Sequence, residues 1–211
     1  MKETLNLGDF KRIIESINIT IQENKVVLSK LDSVIGDGDH GVTMAKGLEA
    51  AMEKLEKSNP ASISELLKIV GNAITITIGG VAGPIFGTFF SAMGRALDTS
   101  KENVNLIDLS VMFRESVEKI MRLGGAKPGD KTMVDALEPA VKDIEALSVS
   151  TTDVKAALES MSKAAKKGAE YTKDIISHKG RSSYSGERSL GYEDAGANTV
   201  YYILRAFYEA V

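Results

Sequence analysis

The 211-residue chain has no cysteine, no tryptophan and only four prolines. Without cysteine there can be no disulfide, no thiolate metal ligand and no cysteine nucleophile. The composition fits a reducing compartment. No apolar run approaches the ~20 residues that a membrane-spanning helix needs, and Met1-Lys2-Glu3-Thr4 does not open a secretory signal. An excess of one charge is missing too. The 26 Lys and Arg stand against 29 Asp and Glu, a net charge of −3, so nothing points to a nucleic-acid or membrane partner. The expectation is a soluble cytoplasmic protein, one domain over residues 1–211, able to bury roughly 70% of its unfolded surface. Glycine is plentiful, with nineteen residues, although other loop formers are scarce.

Helical periodicity dominates the apolar pattern. Residues 9–30 carry Phe10, Ile13, Ile14, Ile17, Ile21 and Leu28 near one face. A second stripe runs Ile63, Leu66, Leu67, Val70, Ala73, Ile74, behind the capping box Ser62-Ile-Ser-Glu65. Leu106 to Ile120, Val154 to Ile176 and Val200 to Val211 give three more, and 42–57, 84–98 and 131–146 are weaker candidates. The pattern predicts about eight helices. Ala73-Ile-Thr-Ile-Thr-Ile78 alternates like a strand, but it lacks a partner strand and lies on the Ile63–Ile74 stripe, so helix is predicted there. No repeat of fixed period is evident. The basic cluster Lys163 to Lys167 reads as a solvated helix face.

Fourteen of the nineteen glycines fall between these helices, in four segments. The first is Asp32-Ser-Val-Ile-Gly-Asp37-Gly-Asp39-His40-Gly41. Its Gly36-x-Gly38-x-x-Gly41 matches the dinucleotide fingerprint in letters, but that motif needs a βαβ unit, and helices flank it here. An EF-hand register from Asp37 fails at its sixth and twelfth positions, Val42 and Leu48. What remains is three carboxylates within eight residues. They repel one another unless a cation joins them, and an oxygen-only set suits a hard cation such as Mg²⁺. A polar turn whose aspartates cap the next helix accounts for the same residues. His40 could serve as base, phosphate donor or stacking ring, or simply be hydrogen-bonded. His178, expected near a helix end, is assigned no function.

The second segment is Gly79-Gly80-Val-Ala-Gly83-Pro84-Ile-Phe-Gly87-Thr88, before a predicted helix. Free N–H groups there would receive an anion, or the segment is a plain turn with Pro84 at the first helical position. The third, Gly124-Gly-Ala-Lys-Pro-Gly129-Asp130-Lys131-Thr132-Met133, narrowly misses a Walker loop; Lys131 and Thr132 are expected to open the next helix. In the fourth, from Gly180 to Gly196, Arg181 and Arg188 are candidate phosphate clamps.

Taken in this order on a helical frame, the segments resemble the nucleotide-binding L subunit of dihydroxyacetone kinase. The resemblance rests on Leu31-Asp-Ser-Val-Ile-Gly-Asp-Gly-Asp-His-Gly41, Gly79-Gly-Val-Ala-Gly-Pro-Ile-Phe-Gly-Thr88, Gly129-Asp-Lys-Thr-Met-Val-Asp-Ala-Leu137 and Gly180-Arg-Ser-Ser-Tyr-Ser-Gly-Glu-Arg-Ser189. It implies an all-α barrel of eight antiparallel amphipathic helices with a nucleotide–Mg²⁺ site at one end. It implies that Asp32, Asp37 and Asp39 hold Mg²⁺, two ions being expected, and that these three with Arg181 carry catalysis. It places His40, Gly41, Val42, Thr43, Val81, Ala82, Gly124, Thr132, Met133, Arg181, Asp194, Ala195 and Gly196 around ADP or ATP.

The implied activity is that of a phosphotransferase subunit with resident ADP. The acceptor, dihydroxyacetone or a related keto-sugar, sits on a partner K subunit, a phosphohistidine M subunit recharges the ADP, and a homodimer is a further expectation. Three positions depart from the family pattern. Gly-Gly-Ala-Ser-Gly-Pro reads Gly79-Gly-Val-Ala82-Gly-Pro84, Asp-Pro-Gly reads Asp194-Ala195-Gly196, and a common Asn is Thr43. A lost hydrogen bond to a charged phosphate at position 82 is worth roughly 1.5–3 kcal/mol. The alternative reading is therefore a non-catalytic ADP-binding regulator acting through protein partners.

Overall fold

A computed structural model describes all residues, 1–211. In chain order the elements are β1 (Thr4–Asn6), α1 (Leu7–Ile35), α2 (His40–Ser58), α3 (Ile63–Thr77), α4 (Ala82–Ala96), β2 (Asn103–Asn105), α5 (Leu106–Gly124), α6 (Met133–Ser148), α7 (Val154–Tyr171) and α8 (Ala195–Glu209). Two 3₁₀ turns, Thr172–Asp174 and Arg181–Ser189, lie between α7 and α8. The fold is all-α, since the one sheet is the antiparallel pair of three-residue strands. No helix is long and apolar enough to cross a membrane.

Helix starts follow local chemistry. Asn6, Ser62, Asn105, Thr132, Asp153 and Asp194 each accept a hydrogen bond from the first turn of α1, α3, α5, α6, α7 and α8. Only α2 and α4 begin without a capping side chain. Each helix packs against the next, and α8 returns to α1, so the contacts form a closed cycle; α6 also touches α8 directly. Inside lies one core of 48 buried residues. Phe90, Phe89, Phe113, Phe207 and Phe10 run through it in a line, with successive ring centroids 4.9–6.3 Å apart in tilted or edge-on geometry.

Several sequence expectations need correction. A local repeat exists after all. Lys2-Glu-Thr-Leu-Asn-Leu-Gly-Asp-Phe10 and Lys101-Glu-Asn-Val-Asn-Leu-Ile-Asp-Leu109 both form a strand, an Asn/Asp capping box and a Lys–Asp pair at 2.5 Å. The strands pair Leu5 with Val104 across the end of the molecule where α1 and α5 begin. The helix over 9–30 extends to Ile35, so Asp32 sits on a helix rather than in the glycine loop. The helix from Val154 stops at Tyr171, leaving Ile176 and His178 in a loop. Pro84 is the third residue of α4, a position whose N–H has no helical partner anyway. Lys131 precedes α6 rather than opening it. The segment Ala73 to Thr77 is helical, as the stripe predicts.

The glycines of α3 and α4 have a packing role. A methyl at Gly71 would overlap the Gly87 carbonyl oxygen, and one at Gly87 would overlap the Thr75 hydroxyl and crowd the Gly71 carbonyl. The two helices therefore meet backbone to backbone. Gly83 and Gly87, grouped by sequence with the phosphate-approaching glycines, serve this contact instead. Gly71→Ala is expected to cost about 1–3 kcal/mol by overpacking. Gly79→Ala, at a site with nothing within 4 Å, should stay within about 0.5 kcal/mol. Urea unfolding of both variants checks the contrast.

Candidate functional site

Short connections make neighbouring helices antiparallel. Four residues join α1 to α2 and four join α3 to α4. Alternation then puts the α1–α2, α3–α4, α5–α6 and α7–α8 junctions at one end, and side-chain and backbone contacts tie them together there. Arg181 pairs with Asp37. His40 bonds Thr199 of α8 at 2.8 Å and packs on Phe86 of α4, 5.8 Å between ring centroids. The His178 N–H donates to the Asp130 carbonyl at 3.0 Å.

The carboxylates of Asp32, Asp37 and Asp39 each offer an oxygen, all within 4.8 Å of one another. Asp32 projects from the last turn of α1, half-buried, and accepts the N–H groups of Gly38 (2.8 Å) and His40 (3.3 Å). It thereby holds the loop and the start of α2. A methyl on Gly36 would overlap its carboxylate, and one on Gly41 would overlap the Lys25 carbonyl of α1. Asp39 occupies the capping position of α2 yet makes no capping bond. Helix capping therefore accounts for Asp32 in part and for Asp39 not at all. Three oxygen donors, one half-buried and two exposed, with one guanidinium as their countercharge fit a hard divalent cation.

Beside the triad are the two uncapped helix starts. Neither has a bond from its N-cap side chain. At α2 the His40 N–H goes to Asp32 and the Val42 N–H to the Ser29 hydroxyl, which leaves Gly41, and Ala82 and Gly83 at the start of α4, with free N–H groups of the kind that receives phosphate oxygens. His40, Gly41, Val42 and Thr43 open α2; Val81 and Ala82 open α4, with Val81 72% exposed. Gly124 ends α5, Thr132 caps α6 and Met133 is its first residue. Asp194 caps α8, which begins Ala195-Gly196. Gly196 faces Met133, so α6 and α8 converge where they begin. Arg188 lies exposed in the second 3₁₀ turn, with no ion-pair partner.

Burial favours the neutral form of His40, and its hydrogen bond selects one tautomer. Burial pulls its pKa below the ordinary value, against the opposing pull of Asp32. The Thr199 hydroxyl gives its only proton to the Ala195 carbonyl at 2.9 Å, so it accepts from His40 Nε2–H and Nδ1 carries the free lone pair. Asp194 is pushed up to about 7, chiefly by burial and further by Asp135 and Asp32, against the Ala197 N–H and Lys131.

The DAK2 domain model matches residues 34–209. The chain belongs to the DAK2 domain family. It is 38% identical over 178 residues to the ADP-binding subunit DhaL of the PEP-dependent dihydroxyacetone kinase of Escherichia coli, covering 84% of each chain. It is 38% identical over 194 residues to the DhaL subunit of the PTS-dependent kinase of Lactococcus lactis, covering 92% of each. The crystal structure of the dihydroxyacetone kinase of C. freundii with AMP-PNP and Mg²⁺ superposes with a TM-score of 0.71 at 27% identity over 94% of this chain. The chain spans about a third of that kinase, 33% of its length.

Two participants in this DAK2 site escaped sequence reasoning. Thr199 sits inside an ordinary helical stripe, and nothing in its spacing marks it. Lys131 was visible as the lysine of a failed Walker motif, but its Nζ is buried among backbone carbonyls instead of facing the triad.

The Asp194 shift has a measurable consequence. Its folded-state pKa stands above the unfolded value of 3.8, so the fold holds a proton that the unfolded chain releases. That contribution is complete below about pH 4 and is lost as pH rises through about 7. Thermal denaturation of the metal- and nucleotide-free protein should show stability falling across this window, and Asp194→Asn should flatten that part of the profile.

Proposed function

We propose that the chain is the ADP-binding subunit of a dihydroxyacetone-type kinase, and that it holds ADP or ATP with two Mg²⁺ ions at the junction end. It passes a phosphoryl group to dihydroxyacetone or a related small keto-sugar on a partner K subunit, and a phosphohistidine on an M subunit recharges the bound ADP. Residues 1–211 act as one unit in this reading. The observation that carries it is the triad of carboxylate oxygens within 4.8 Å beside the only two α-helix starts whose N-cap residue makes no capping bond.

Asp32, Asp37 and Asp39 would hold the Mg²⁺, which when bound offsets the negative charge spreading over the transferring phosphoryl group. The chain's own residues supply position and charge. The free N–H of Gly41 in α2 and those of Ala82 and Gly83 in α4 take phosphate oxygens, with His40, Val42, Thr43 and Val81 around them. Arg181, on the 23-residue segment between α7 and α8, adds a guanidinium beside Asp37. Gly124, Thr132 and Met133 with Asp194, Ala195 and Gly196 line the rest of the nucleotide. No protein nucleophile is needed.

Exposed apolar side chains surround this end: Val34, Val42, Ile76, Val81, Leu123 and Tyr184, each about half or more exposed. A rim of this kind around a charged centre supports docking of a partner that excludes water and brings the acceptor.

Asp39→Asn tests the assignment with little structural cost, because the carboxylate caps nothing. ADP affinity in Mg²⁺ is expected to fall about tenfold or more, with the metal-free melting temperature unchanged; titration calorimetry and a melting curve read the two. Reconstitution with matching K and M subunits should yield phosphorylated keto-sugar. Absence of turnover with subunits active elsewhere would overturn the kinase reading.

Ala82, where the family carries serine, favours the regulatory alternative, in which ADP binds and no phosphate moves. If the missing hydroxyl merely weakens transfer, Ala82→Ser should raise the reconstituted rate roughly tenfold to a hundredfold. A rate that stays at zero, with ADP bound tightly, would favour the regulator.

A further inference from the structure

Lys131 is a buried cation for which the proposed reaction has no use. Its side chain is 1% exposed. Nζ lies 2.7 Å from the carbonyl oxygen of Thr172, 3.2 Å from that of Ile175, and 2.6 Å from those of Ser189 and Tyr192. An ammonium has three protons, so four carbonyls enclose it much as they would a bare monovalent cation. Thr172 and Ile175 follow directly on α7, where carbonyls carry the negative end of the helix dipole. Ser189 and Tyr192 come from the far side of the same segment.

The backbone of Lys131 is left-handed, at φ +60°, a conformation that costs a non-glycine residue of order 1 kcal/mol. Burial lowers the ammonium pKa, opposed by Asp194, Asp174 and Asp135.

Segment 172–194 has no hydrophobic anchor. Its buried residues are Thr172, Ser177 and Ser189, all polar. Polar ties must therefore set its position. Several are internal, such as Gly191 N–H to the Lys173 carbonyl (2.8 Å) and Ser177 N–H to the Ser189 hydroxyl (3.0 Å). One backbone bond, His178 N–H to the Asp130 carbonyl at 3.0 Å, reaches the start of α6; the Lys131 ammonium is the group that gathers both halves of the segment there. The segment carries Arg181 and ends at Asp194.

We propose that Lys131 is a positioning residue, a built-in counterion whose charge folds segment 172–194 over the junction end so that Arg181 reaches the aspartate triad. The nucleotide consequence rests on the ADP-site reading above; the positioning itself does not.

The test uses the full chain as wild type, Lys131→Met and Lys131→Ala. Hydrogen exchange over 172–194 and ADP–Mg²⁺ calorimetry are the readouts. Lys131→Met, which keeps volume and removes charge, should speed exchange of the segment amides at least tenfold and weaken ADP about tenfold or more, with the eight helices still protected. Lys131→Ala should regain protection in ammonium or potassium chloride and not in choline chloride, a rescue that a packing role would not give.

Unchanged exchange in Lys131→Met, or ammonium no better than choline, would overturn the proposal. If wild type binds no ADP while the exchange results hold, the nucleotide reading fails and the positioning stands. If neither variant folds, the ¹⁵N signal of the wild-type Lys131 ammonium decides: slowly exchanging protons support the cage, and rapidly exchanging ones overturn it.

Discussion

Antiparallel packing of an even number of helices fixes where this protein can do chemistry. Each short connection reverses the chain, so alternate junctions fall at the same end. Once α8 meets α1, the four glycine-bearing segments share one end, and the two strands with the remaining turns share the other. Segments far apart in sequence then come within hydrogen-bond range, as His40 and Thr199 do at 2.8 Å. None of the four has to be a complete site, since packing assembles the parts.

The two ends are finished differently. Where α1 and α5 begin, each start is closed by the same device: an Asn cap, an Asp in the first turn and a Lys on that Asp. At the junction end α6 and α8 are capped, while α2 and α4 are left open. A missing N-cap bond forgoes roughly 1 kcal/mol, partly offset at α2 by Asp32 and Ser29. The open starts stand beside the one place where three carboxylates crowd together. Stability is thus forgone where an anion and a cation together would restore it, and nowhere else among the α-helices.

Much of this was legible in the residues. Apolar spacing located the helices, and Asp32, Asp37 and Asp39 declared themselves by crowding three like charges into eight residues. The misreadings share a cause, which is that local patterns do not reveal what lies across the packing interface. Gly87 looks like a loop glycine beside Gly83, yet it is small because α3 passes against it. Asp32 looks like a loop ligand, yet it hangs from a helix and steadies the loop from outside. The Lys2 and Lys101 motifs are nine residues long and 99 apart, too short to stand out until β1 and β2 are seen paired.

Lys131 and the aspartate triad are two answers to one electrostatic problem. Both the α1–α2 junction and the segment before α8 bring oxygen atoms close together, and oxygens in such numbers need positive charge between them. Before α8 the oxygens are neutral carbonyls and the charge is covalently attached, so the lysine cannot leave. At the triad the oxygens are ionised and only Arg181 is at hand, an exposed guanidinium on Asp37. One positive charge against three negative ones leaves an excess that a divalent cation removes, and such a cation can bring phosphate oxygens with it. The permanent countercharge builds the frame, and the deficient one leaves room for a ligand. That difference in charge balance, more than any single motif, separates the structural junction from the binding junction in this fold.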